Sequence, residues 1–286
     1  MFDRSLLLVS GKGGVGKSAV TAALAIVAAR HGKRVLAIAM TEPLGLASHL
    51  GVETLSYEPL AIRPGLYGAV VDRANALDEY LSLQLRAARS LPTGFLSKAL
   101  NVLVDTAPGV REIITMGKPI FEVWEGGWDL VIADAPPIGQ LQSYLIAPRT
   151  ISGLVPTGAV QEQAARLEET LADPTLSGLV LVTTAEELPI IETREAMAEI
   201  DEHRQMVIVD VLANRIFTPL DTPRHTIESL EAGDAKDAAL LHSDLTDQQG
   251  QWLDALPDDP HLPYLFDVRT PAEIAERLAD ECERLL

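Results

Sequence analysis

Apolar positions along this chain fall in short unbroken runs, and stretches of helical period separate them. Residues 5–10, 34–40, 66–72, 129–134, 178–184 and 207–215 are the apolar runs, rich in Val, Leu, Ile and Ala. Runs without polar alternation mark strands covered on both faces, as in a parallel sheet. Residues 19–29 read as an Ala-rich helix that stops near His31-Gly32-Lys33, with basic residues and a glycine at its end. Pro189 opens a helix to about Arg204, and residues 271–286 form a closing amphipathic stretch. Residues 73 to about 125 are mostly helical by periodicity, with breaks expected at Pro92, Pro108 and Pro119. The run at 207–215 is the last clear strand, and loop and helix follow it. The pattern predicts an α/β fold: one parallel-sheet domain over residues 1–286 with a helical insertion at about 73–125. No internal repeat, low-complexity tract or linker interrupts it.

The first strand runs straight into Gly11-Lys12-Gly13-Gly14-Val15-Gly16-Lys17-Ser18, which fits G-x-x-x-x-G-K-[ST] without a mismatch. The strand before it and the helix after it are the context that pattern requires. Glycines reach torsions that other residues avoid, so successive backbone N–H groups can point inward at phosphate oxygens. The helix start adds its partial positive charge. The sequence therefore predicts a P-loop NTPase in which Gly13, Gly14, Val15, Gly16, Lys17, Ser18 and Ala19 cradle the phosphates. Lys17 is expected on the β- and γ-phosphates and the Ser18 hydroxyl on magnesium. Two other strands end in carboxylates, Glu42 after Thr41 and Asp134 before Ala135-Pro136-Pro137-Ile138-Gly139. Ligands of open α/β sheets gather at that edge. Asp134 is placed to hold a magnesium-bound water; the alternative is a strand-end aspartate that caps a helix.

Lys12, directly after the first glycine, makes the loop resemble the deviant Walker A loop of the SIMIBI-type dimeric ATPases. These include the partitioning, Min-system, nitrogenase-iron-protein and arsenite-pump families, in which the extra lysine reaches across a dimer interface to the partner's nucleotide. Four stretches in the right order narrow this to the arsenite-pump ATPase family, which also contains the ATPase that targets tail-anchored membrane proteins; the chain looks like a bacterial-type member. Thr41-Glu42-Pro43 resembles its switch I, normally Asp-Pro-Ala-His, and residues 134–139 resemble its switch II, Asp-Thr-Ala-Pro-Thr-Gly. Residues 184–194 resemble the family's Pro-Glu stretch ending in Glu-Thr-x-Arg, here Glu192-Thr193-Arg194. Asn214, beside Arg215, matches the adenine-reading asparagine, and His261-Leu262-Pro263-Tyr264-Leu265-Phe266 looks like the segment that closes over the base, which puts Pro263 and Phe266 on the adenine.

The resemblance implies ATP and Mg²⁺, and either a homodimer or a heterodimer with a paralogous ATPase. It also implies a catalytic group of Lys12, acting in trans, with Lys17, Glu42 and Asp134. Lys17 already fills the intrachain role, which leaves Lys12 poorly placed to reach the same γ-phosphate; the alternative for Lys12 is an exposed lysine on the loop rim. Where the family has aspartate to orient or deprotonate the attacking water, this chain has Glu42, one methylene longer and without the following histidine. Glu42 is either that carboxylate or a helix-start residue with no catalytic part.

Composition then limits the partners. With 286 residues and 47 % hydrophobic content the chain can bury a sizeable core. The only cysteine, Cys282, excludes an internal disulfide and a multi-cysteine metal site within one chain, so the family's arsenite-binding and zinc-binding cysteines are absent. The six histidines show no ligand spacing. Formal charge is −18, and residues 221–286 carry 5 basic and 16 acidic side chains, hence −11 of it. That argues against nucleic acid and leaves a solvated acidic face or a docking surface for a basic partner. No eighteen-residue apolar run exists, so a cytoplasmic chain without an integral membrane segment is expected. The targeting enzyme's client groove is methionine-rich, whereas residues 73–125 hold only Met116; Lys98, Arg111 and Lys118 there read as surface charges.

The expectation is a magnesium-dependent switch ATPase that couples nucleotide state to an unknown client or partner protein. One rival is a nucleotide-binding subunit with little or no turnover in a heteromeric complex with a paralogue. Another is a Min- or partitioning-type ATPase, whose membrane or DNA contact would want a basic surface where the closing helix carries Glu273, Glu276, Asp280, Glu281 and Glu283.

Overall fold

A computed structural model describes residues 1–79, 109–154, 157–256 and 260–285. Among them an eight-stranded sheet has the order β3-β4-β2-β5-β1-β6-β7-β8. The strands are β1 (Leu6–Gly11), β2 (Val35–Ala39), β3 (Leu60–Arg63), β4 (Leu66–Val70), β5 (Leu130–Asp134), β6 (Ser177–Thr184), β7 (Ile208–Ile216) and β8 (His261–Pro263). All neighbours pair in parallel except β3, which runs antiparallel to β4. The helices are α1 (Lys17–Arg30), α2 (Pro43–Leu50), α3 (Val110–Glu125), α4 (Ile138–Leu154), α5 (Ala159–Ala172), α6 (Glu187–His203), α7 (Arg224–Glu228), α8 (Asp234–Leu253) and α9 (Pro271–Leu285).

The unbroken apolar runs are explained by cover on both faces. In β1, Leu7 and Val9 belong to one core with α1, α2 and α9, while Leu6 and Leu8 belong to a second core with α3, α4, α5 and α6. α1 is apolar all round, and residues 19–28 are all buried. Its alanines let α9 lie close, through Ala275, Leu278, Ala279 and Cys282. The acidic outer face of α9 is partly neutralised at home, since Arg30 meets Glu276, Asp280 and Glu283.

Three expectations change. Pro119 does not break a helix, because it lies buried inside α3; Pro92, Pro108 and Lys98 fall outside the described residues. Residues 261–263, expected only as an apolar segment, add a strand beside β7. Lys118 is not a surface charge. It is 5 % exposed, 3.0 Å from Glu79, 2.7 Å from Glu122 and over the Tyr57 ring. A buried lysine stands only with such partners. Met116 is fully buried in the core, so its thioether is not a surface contact. Helix is present at 73–79 and again in α3, on either side of residues 80–108. Among the described residues no helix is long and apolar enough to cross a membrane.

Candidate functional site

β1 sits between β5 and β6, so the loop that leaves its end emerges beside Asp134 at the end of β5. Two glycines set the shape of this loop. A Cβ on Gly11 would stand 1.9 Å from the Val182 carbonyl oxygen, and one on Gly16 would stand 2.4 Å from Asn214 Nδ2. Gly16 also holds the left-handed conformation, φ 96°, as the residue before α1. Among the described residues no side chain caps α1, which leaves its first N–H groups free for an anion.

Ser18 Oγ donates to Asp134 Oδ2 at 2.5 Å. Asp134 is 6 % exposed, and among the described residues its Oδ1 has no hydrogen-bond partner. Burial pushes its carboxyl up to about 6, against the pull of Ser18 and Lys17. A carboxylate buried with one oxygen unused, next to a hydroxyl, fits a hydrated divalent cation. The loop after it is pinned by Ser10 Oγ on the Pro136 carbonyl at 2.7 Å and by Ala135 N–H on the Val9 carbonyl. Lys17 bends back over the loop, its Nζ 3.3 Å from the Lys12 carbonyl oxygen. Burial lowers its pKa and the Asp134 charge opposes this.

Beside the loop lies a cavity of about 550 Å³, a size suited to a small-molecule ligand. Its walls include Gly14, Gly16, Lys17, Ser18 and Ala19 from the loop and α1, with Asn214, Arg215 and Pro263 across from them. Asn214 is buried and engaged at both ends of its amide: Nδ2 donates to the Val15 carbonyl at 2.8 Å, and Oδ1 accepts from Arg215 N–H at 2.9 Å. That second bond supports Arg215 in the left-handed region, φ 62°, where the chain leaves the sheet.

The other expected residues are placed differently. Phe266 does not line the cavity; it is exposed and packs with Tyr264 and Phe217 in an aromatic cluster, and Tyr264 and Leu265 face the cavity in its stead. Gly13 and Val15 belong to the loop without lining the cavity. Glu42 is exposed and starts α2, with Oε1 accepting from Leu44 N–H at 3.4 Å. Lys12 turns away from its own loop to pair with Glu192 on α6. Sequence reasoning assigned no role to Glu192 or to His49, which lines the cavity from α2. Glu192 stood in a recognisable stretch, but nothing in the spacing of His49 marked it.

The model of the family described as "Anion-transporting ATPase" matches residues 4–158 and 157–242. "ATPase BagA" of Mycobacterium tuberculosis is 28 % identical over 294 residues, which covers 96 % of this chain and 83 % of that protein. A "Putative arsenical pump-driving ATPase" of Halobacterium salinarum is 25 % identical over 228 residues, 74 % of this chain and 35 % of that protein. An "ATPase ASNA1 homolog" of Cryptosporidium parvum is 24 % identical over 251 residues, 76 % of this chain and 66 % of that protein.

Proposed function

The chain belongs to the anion-transporting ATPase family and is an ATPase, and we propose that it works as a magnesium-dependent dimeric switch, a homodimer or a heterodimer with a paralogue, whose nucleotide state times the binding of a partner protein. The observation that carries this reading is the Ser18–Asp134 hydrogen bond beside an uncapped helix start and a half-buried Lys17. The N–H groups of residues 13–19 and the Lys17 ammonium bind the phosphates. Ser18 and, through water, Asp134 hold the cation, which when bound neutralises charge on the β- and γ-phosphates. Asn214 keeps the loop in shape and, with Arg215 and Pro263, forms the base side of the cavity. Lys12 serves the partner subunit's nucleotide. Residues 73 to about 125 are the helical part that changes arrangement with nucleotide state.

Asp134→Asn separates function from stability. The raised carboxyl pKa means that ionised Asp134 opposes folding, an effect absent below the ordinary aspartate pKa near 4 and complete above about 6. At pH 7.5 the nucleotide-free variant should therefore be more stable, by on the order of 2 kcal/mol, while turnover and its magnesium dependence fall steeply. Denaturant unfolding and a magnesium titration read the two effects, and an unaltered magnesium titration would refute the assignment.

A second reading, a nucleotide-binding subunit with little turnover, is favoured by the exposed, helix-starting position of Glu42. If Glu42 positions water, Glu42→Gln should lower turnover by about a hundredfold with ATP binding kept. Equal, slow hydrolysis by wild type and variant would decide for the second reading.

A further inference from the structure

Among the polar side chains of the cavity wall, His49 comes from α2 and takes no part in holding phosphate, cation or loop. It lies on α2 one turn beyond Gly45, and Gly45 approaches α1 so closely that a Cβ there would stand 2.8 Å from Ser18 Oγ. The helix that carries the imidazole is thus held against the phosphate end of the site. His49 Nδ1 is 2.7 Å from the Gly45 carbonyl oxygen. A carbonyl oxygen can only accept, so Nδ1 carries the hydrogen, and in a neutral ring the lone pair is on Nε2. Burial holds the imidazole pKa below its ordinary value, which keeps the ring neutral at physiological pH. Among the described residues the ring therefore offers one unused acceptor, in a wall that also holds the apolar side chains of Ala19, Ile274 and Leu278.

Position along the nucleotide follows from which part of the loop each wall touches. Asn214 meets the loop at Val15 and Gly16, and with Pro263 it walls the base side. α2 meets the start of α1 at Ser18, the cation end of the site, and His49, one turn farther along α2, lines the same cavity as Ala19 and the base-side residues Asn214 and Pro263. We infer that His49 reads the sugar: its Nε2 accepts a hydrogen bond from a ribose hydroxyl, which makes the site prefer a nucleotide that carries this hydroxyl over the analogue that lacks it. This rests on the nucleotide occupying the cavity as proposed above. A half-buried acceptor discriminates because a ligand without the hydroxyl leaves it unpaired.

The test is calorimetric binding of ATP, 2′-deoxyATP and 3′-deoxyATP to wild type, His49→Ala and His49→Phe, with Lys17→Ala as the control for the site. Wild type should bind ATP about fivefold to tenfold more tightly than one of the two deoxy analogues. His49→Ala should lose that preference, through weaker binding of ATP and equal or tighter binding of the discriminated analogue. His49→Phe keeps a ring of similar volume without an acceptor and should behave alike, so it carries the test if thermal unfolding shows that alanine loosens α2. A preference unchanged in both variants, or equal loss for all three nucleotides, overturns the inference and leaves the nucleotide site standing. If wild type binds none of the three, or Lys17→Ala binds ATP like wild type, the nucleotide-site reading itself falls and this inference falls with it.

Discussion

Lys17→Ala should weaken ATP binding by about a thousandfold, the effect expected when one partner of a close charge pair is truncated in a partly desolvated site. Among the described residues the hydrogen-bond partner of the Lys17 ammonium is the Lys12 carbonyl, at 3.3 Å, and burial depresses its pKa. A group whose charged form is disfavoured by the fold contributes nothing to stability at neutral pH, so the unfolding temperature should hold or rise when it is removed. The charge is therefore retained for a ligand and not for the fold. Calorimetric titration at fixed salt and magnesium, together with a thermal melt, checks both halves. Unchanged ATP affinity in a folded variant would end the phosphate-site assignment, and a large fall in melting temperature would show that the lysine is structural.

Lys12→Ala should lower turnover by about a thousandfold or more, as loss of a charge delivered to the transferring phosphoryl from outside the subunit does. The geometry within one chain already points away from a role in cis, because Lys12 leaves its own loop to pair with Glu192. Both side chains of that pair are about one third exposed, at 30 % and 37 %. Such pairs are worth roughly 1 kcal/mol or less, so the phosphates of a facing subunit's nucleotide can take the lysine from Glu192. Mixing Lys12→Ala with Lys17→Ala provides the test. In a mixed dimer the Lys17→Ala subunit still offers its Lys12 to the intact loop of the other, and activity should return in proportion to mixed dimer formed. If subunit exchange is demonstrated and no activity returns, Lys12 does not act across the interface.

Local signals carried the fold class and the phosphate loop. Six apolar runs became β1, β2, β4, β5, β6 and β7, because strands covered on both faces must be apolar at every position, and that requirement is written residue by residue. The strands that escaped notice, β3 and β8, are four and three residues long and lie at the sheet edges. Segments so short carry little period, and their pairing comes from the neighbour. Pro119 was misread for a related reason: helical packing in the core tolerates a proline that local rules treat as a stop.

Within the site, the sequence by itself determined the residues whose chemistry follows from chain order: the glycines, Lys17 and Ser18 of the loop, and the carboxylate at the end of a strand. Only the tertiary structure decided which side chains from distant stretches meet them. Ser18 and Asp134 touch across 116 positions because β1 and β5 are neighbours in the sheet. Asn214 reaches the loop across 199 positions, Lys12 is drawn to Glu192 on α6, Lys118 is buried among partners instead of exposed, and His49 reaches the cavity because Gly45 lets α2 approach α1. Spacing along a helix or strand is fixed by backbone geometry and can be read from the residues in turn. Which element lies beside which is set by burial of whole faces, a sum over many contacts that no single stretch of sequence contains.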